Sequence, residues 1–218
     1  MVWLFYHMLT KKSTKETVLI IRLTNWKQRR LRLTQLIVTR LIFLTFAARR
    51  HKALAVMPNY NNARHLIVLI CVYILFVSIL GWQTRFLSWK PQPIATVVRV
   101  TITCLFAPAI LEELFFRVLL LPYPFETSFK SYLLRSALSL FLFIVYHPLN
   151  ASTFFPQGRK VFFDRIFLVL AASLGIVCTI TYWQTGSIWL PVLIHWITVA
   201  VWLSCLGGSD KLNYVGNK

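Results

Sequence analysis

Residues 95–121 read ATVVRVTITCLFAPAILEELFFRVLLL, and the fold turns on this stretch. It is long enough to cross about 30 Å of hydrocarbon as a helix. Its ionisable groups are Arg99 near the start and the cluster Glu112, Glu113 and Arg117. A long core helix of a soluble bundle would instead carry a polar stripe along one whole side. Pro108 interrupts the run, and Pro122 with Pro124 ends it.

Reading outward, four more runs of comparable character appear at 65–83, 131–147, 164–183 and 187–206. Polar or proline-containing stretches separate them: Arg85, Lys90, Pro91 and Pro93 before the quoted run, and a loop over 149–160 after His147-Pro148. Gly207-Gly208 closes the last run. Of the 218 residues, 57% are hydrophobic and only 14% charged, too little charge to cover a soluble domain of this size. The chain therefore reads as an integral, multi-pass membrane protein of the plasma or an internal membrane. The four cysteines, Cys71, Cys104, Cys178 and Cys205, lie far apart without metal-ligand spacing and read as small buried hydrophobes.

The net charge of +18 is unevenly placed. Residues 1–56 hold twelve Lys or Arg against one acid, and residues 57–218 hold twelve against five. The basic groups sit between apolar runs, where lipid headgroups meet them. No basic helix or aromatic-basic module of a nucleic-acid binder is present, so the expected partners are membrane lipid and not nucleic acid. Three regions follow: a basic N-terminal extension over 1–60, a membrane domain over 61–210 and a short polar tail over 211–218. Within the extension, residues 33–48 suit an interfacial helix or an organelle-type presequence. Met57 is an alternative start. The basic loops near 85–90 and 159–165, with the tail, are cytoplasmic by the positive-inside rule, which puts the start of the first run on the opposite side.

Ionisable groups at membrane depth are costly and mark functional sites. Here they are Glu112, Glu113, Arg117, His147 and His195, with Arg99 and Arg135 near enough to span ends to reach headgroups. Glu113 and Arg117 are spaced i, i+4 with the acid first, the favourable order for a helical ion pair. Glu112 points about 100° away around the axis and cannot share that pairing equally. Pro108 precedes Glu112 by four residues and Pro191 precedes His195 by four. Each is expected to kink its helix, and His147 is expected at a helix end. Irregular backbone at this depth is tolerated where it lines a cavity, which places all five groups around one polar space.

The three motifs in order, Glu112-Glu113-x-x-x-Arg117, Phe143-x-x-x-His147 and a later intramembrane His195, resemble the CAAX-protease and bacteriocin-processing (ABI, Rce1-like) family over residues 64–210. The resemblance implies an all-α, polytopic transmembrane helical bundle with a conical intramembrane polar cavity. It implies a glutamic intramembrane endopeptidase acting on a membrane-associated or prenylated-type peptide or protein substrate, with no obligatory cofactor. By position, Glu112 is then the general base, His147 helps hold the water, Glu113 with Arg117 shapes the site, and His195 stabilises the oxyanion. One position departs from the pattern. Val199 stands where the family has Asn or Asp, and valine donates no hydrogen bond, so either another group such as Thr198 substitutes or activity is weakened or lost.

Two other readings stand beside this one. Zinc held by His147, His195 and Glu112 would make a metalloprotease, although no His-Glu-x-x-His run exists. A non-catalytic scaffold, an immunity protein or a small transporter could keep the same fold, a reading that Val199 favours.

Overall fold

The structure, a computed structural model, describes residues 40, 44, 49–57 and 63–212. The readings of residues 33–48 and of the end of the tail lie outside the described residues, Arg40 and Leu44 apart. Five long helices carry the architecture: α1 (Ala63–Gln83), α2 (Ile94–Leu119), α3 (Phe129–Thr153), α4 (Arg165–Thr185) and α5 (Trp189–Cys205). The first four are long and apolar enough to cross a membrane. With 17 residues, α5 is the shortest, about 26 Å at 1.5 Å per residue. The protein is a polytopic membrane helical bundle.

Its core is thin and its outer faces are greasy, as expected where lipid replaces water as solvent. On α1, Ile67, Val68, Val72 and Leu75 all lie at 59–61% exposure, while Leu66, Tyr73 and Gly81 turn inward. The central helix is α4, packed on α1, α3 and α5, and α5 also packs along α2. Close approach at the centre depends on Gly175: a Cβ there would come within 2.8 Å of Leu140 Cδ1 and 3.2 Å of Phe143 Cδ1.

Local chemistry sets the helix ends. Asp164 caps α4, its Oδ1 accepting from the backbone N–H of Ile166 at 2.7 Å and of Phe167 at 3.2 Å. Gly186, at φ +65°, ends α4 in the left-handed conformation that glycine adopts without a Cβ clash. The last carbonyls of α5 are met by the loop before α2: the N–H groups of Ser88, Lys90 and Gln92 donate to Leu206, Cys205 and Ser204. That satisfies backbone acceptors which helix geometry leaves open.

Several sequence expectations need correction. The third span does not stop at His147-Pro148: α3 runs through Pro148 to Thr153. A proline removes one hydrogen bond, and inside a packed helix that loss does not end the ladder. The expected loop over 149–160 is consequently helix up to Thr153, followed by a turn at Pro156–Gly158 and a short helix at Arg159–Phe162. Pro191 kinks nothing, because it sits in the first turn of α5, where its missing N–H has no intrahelical partner to lose. Of the cysteines, Cys104 and Cys178 are buried but Cys71 is exposed.

Residues 49–55 are helical and belong to the same compact unit as the five long helices. Ala53 is fully buried, its carbonyl accepts from Ile188 N–H at 3.1 Å, and the Leu54 carbonyl accepts from Trp189 Nε1 at 2.9 Å. Arg49 donates to the Leu119 carbonyl, and Lys52 pairs with Glu126. The stretch upstream of Met57 thus supplies hydrogen bonds to the ends of α2 and α5. At the other end, Leu212 is buried in the core.

Candidate active site

The site is built on an irregular helix. Up to Cys104, α2 is α-helical; π-helical turns at Leu105–Ile110 and Leu114–Leu119 then flank the single α-turn Leu111–Glu113. The break falls at Ala107 (φ −135°, ψ 114°), the residue before Pro108, where the proline ring disfavours helical geometry. Wide turns of this kind are frequent at functional sites. One carbonyl of the second wide turn is taken up by Ser139 of α3, whose Oγ donates to the buried Phe116 carbonyl at 2.7 Å.

Behind the wall formed by α2 and α5 lies a buried charge chain. Glu113 is fully buried and Arg117 is 2% exposed. Arg117 Nη1 is 3.0 Å from Glu113 Oε1, an electrostatic contact in which the N–H vectors miss the oxygen. Arg117 Nη2 donates to the Gly175 carbonyl at 3.0 Å, and its guanidinium lies 5.1 Å from the Phe143 ring centre. The same Glu113 Oε1 accepts from His195 Nδ1 at 2.8 Å. A carboxylate only accepts, so Nδ1 carries a proton and the imidazole is oriented by Glu113. Sequence geometry identified the Glu113–Arg117 pair but not this third member, which comes from α5, 82 residues away.

In front of the wall is a cavity of about 730 Å³. Glu112, His147 and His195 line it, as do Asn150, Thr198 and Val199. The walls are otherwise mostly hydrocarbon, so the expected polar space is an apolar chamber with a polar strip. Glu112 Oε2 makes no hydrogen bond to the described residues and stands 3.9 Å from His195 Nε2. His147 donates from Nδ1 to the Phe143 carbonyl at 2.8 Å, which leaves Nε2 of a neutral ring as an acceptor. Phe143, Phe162 and Phe167 hold that ring edge-on, with centroids 4.9–5.6 Å away.

All five predicted residues therefore meet, but in two layers: Glu113 and Arg117 behind, Glu112 and the histidines on the cavity. Sequence reasoning missed Asn150, assigned to a loop, and Tyr73, assigned to a featureless apolar span. Continuation of α3 past Pro148 puts Asn150 three residues beyond His147 on the same helix side. A pattern of polar residues at i, i+3 would have signalled it had the helix not been ended early. Among the described residues, no three His, Cys, Asp or Glu side chains gather in a geometry that could hold a metal ion.

Neither a curated protein nor a solved structure matches the chain at significant similarity. A family model does: the one described as type II CAAX prenyl endopeptidase Rce1-like matches residues 93–201, half of the chain, and spans Glu112, Glu113, Arg117, His147 and His195. With the three motifs in order on a membrane helical bundle, the chain belongs to the type II CAAX prenyl endopeptidase Rce1-like family, a family of intramembrane proteases.

Proposed function

We propose that this chain is an intramembrane endopeptidase that hydrolyses peptide bonds of a membrane-associated or prenylated-type protein, using water activated by Glu112. The observation that carries the reading is the division of labour between adjacent glutamates. Glu113 is committed through Oε1 to Arg117 and His195 and stays off the cavity, whereas Glu112 lines the cavity and its Oε2 has no hydrogen-bond partner among the described residues.

In the proposed reaction, water donates one hydrogen bond to Glu112 and another to His147 Nε2. Glu112 takes a proton as the water oxygen attacks the scissile carbonyl carbon. The carbonyl π electrons move onto oxygen, and this oxyanion is met by protonated His195 Nε2, oriented through Nδ1 by Glu113. Collapse of the tetrahedral intermediate breaks the C–N bond, and the proton held by Glu112 passes to the leaving amine. The acid–base work is assigned to this chain's own side chains, with no cofactor. Thorough chelation is expected to leave cleavage unchanged, and loss of cleavage with recovery on adding zinc would favour the metal-dependent reading instead.

The test is a comparison of protein N-termini in membranes from cells expressing the parent or Glu112→Gln, read by terminal-peptide mass spectrometry. New N-termini on membrane-associated proteins should appear with the parent and not with the variant. Val199 favours a second reading, a non-catalytic member that keeps the fold. Identical sets of N-termini from the two strains would establish that reading and end the protease proposal.

A further inference from the structure

We propose that Thr198 donates the hydrogen bond to the substrate oxyanion that Val199 cannot supply, with Tyr73 as its positioning residue. The inference rests on the protease reading above. On α5, position 199 lies about 40° from His195 around the axis and position 198 about 60° on the other side, each roughly one turn along. Both residues line the cavity together with His195. Valine offers only methyl groups there, whereas threonine offers a hydroxyl on a side chain of almost the same volume.

The hydroxyl of Thr198 is not turned back onto its own helix as those of four other helical threonines are. Thr103, Thr153, Thr179 and Thr185 each turn their Oγ1 back onto the carbonyl four residues earlier, at 2.7–2.9 Å. No such bond is formed by Thr198. It instead accepts from the hydroxyl of Tyr73 on α1 at 3.3 Å, across 125 residues of sequence. Two hydroxyls carry two protons, and the bond between them uses one. The second stays available, and Thr198, half-buried on the cavity wall, is where it is held. Tyr73 is 6% exposed and packed against Leu174 and Ile194, so its ring cannot swing away. A donor held from behind by a second donor is oriented before the substrate arrives, the condition under which oxyanion stabilisation is most effective.

The test uses the full chain in proteoliposomes and, as probe, a fluorogenic peptide spanning the most abundant Glu112-dependent cleavage site found in the N-terminus comparison. Thr198→Val should lower kcat by about 10²-fold with KM nearly unchanged, the loss expected for one oxyanion donor. Tyr73→Phe should lower kcat less, and its effect should vanish in the Thr198→Val background. Adding Val199→Asn to Thr198→Val should restore kcat by about tenfold or more, because an amide then reaches the same oxyanion. A purely structural threonine would show no such rescue, and its absence overturns the inference. So does wild-type kcat in Thr198→Val while Glu112→Gln is inactive, a result that leaves the protease reading standing. If Glu112→Gln cleaves as well as the parent, or no Glu112-dependent site exists, both fall together.

Discussion

Behind the wall of α2 and α5, charge is paired and sealed; in front of it, polar groups border open space. Glu113 and Arg117 show 0% and 2% exposure and are held by His195 Nδ1 and the Gly175 carbonyl. One residue away, Glu112 borders a cavity of about 730 Å³, which Glu113 does not reach; the Oε2 of each glutamate is without a hydrogen-bond partner among the described residues. The two glutamates have the same chemistry, so only their surroundings set them apart.

Experiments can pull the layers apart. The largest expected effect is on the front. Glu112→Gln should reduce cleavage by about 10³-fold, within the range for loss of a general base, while thermal unfolding in detergent stays at or above the parent midpoint. A drop in that midpoint would mean that Glu112 belongs to the structural layer. Next comes the rear. Arg117→Met leaves Glu113 buried without its cation and should cost about 3–5 kcal/mol of stability. Adding Glu113→Gln should recover most of that loss, as measured by unfolding in mixed detergent, since the orphaned charge is then gone. If the double variant is as unstable as Arg117→Met alone, the pair is not the relevant contact.

Smaller effects sharpen the same contrast. Gly175→Ala places a methyl 2.8 Å from Leu140 Cδ1 and presses on Phe143, beside the carbonyl that receives Arg117. Overpacking of this kind should cost about 1–3 kcal/mol, with activity falling only as far as folded protein is lost. The exposed Lys52–Glu126 pair, far from either layer in character, should contribute about 1 kcal/mol or less, and Lys52→Ala should leave both the unfolding midpoint and cleavage close to the parent.

Much of this molecule was legible from the chain alone. Apolar runs separated by basic loops and prolines dictate membrane-spanning helices, because a backbone in hydrocarbon must satisfy its own hydrogen bonds. The i, i+4 spacing of Glu113 and Arg117 dictates their pairing, because helix periodicity is local. Where local rules met a proline they misled: Pro148 did not end α3, since packing held the helix past the missing bond, and with it Asn150 entered the cavity. Pro191 did not bend α5, since it fell in the first turn. What only the tertiary structure decided is which groups from separate helices meet. His195 Nδ1 reaches Glu113 across 82 residues and Tyr73 reaches Thr198 across 125. No periodicity within a helix encodes such contacts, because they depend on how neighbouring helices are rotated about their axes. That rotation is set by packing at positions such as Gly175, where the absence of a side chain lets α3 and α4 approach.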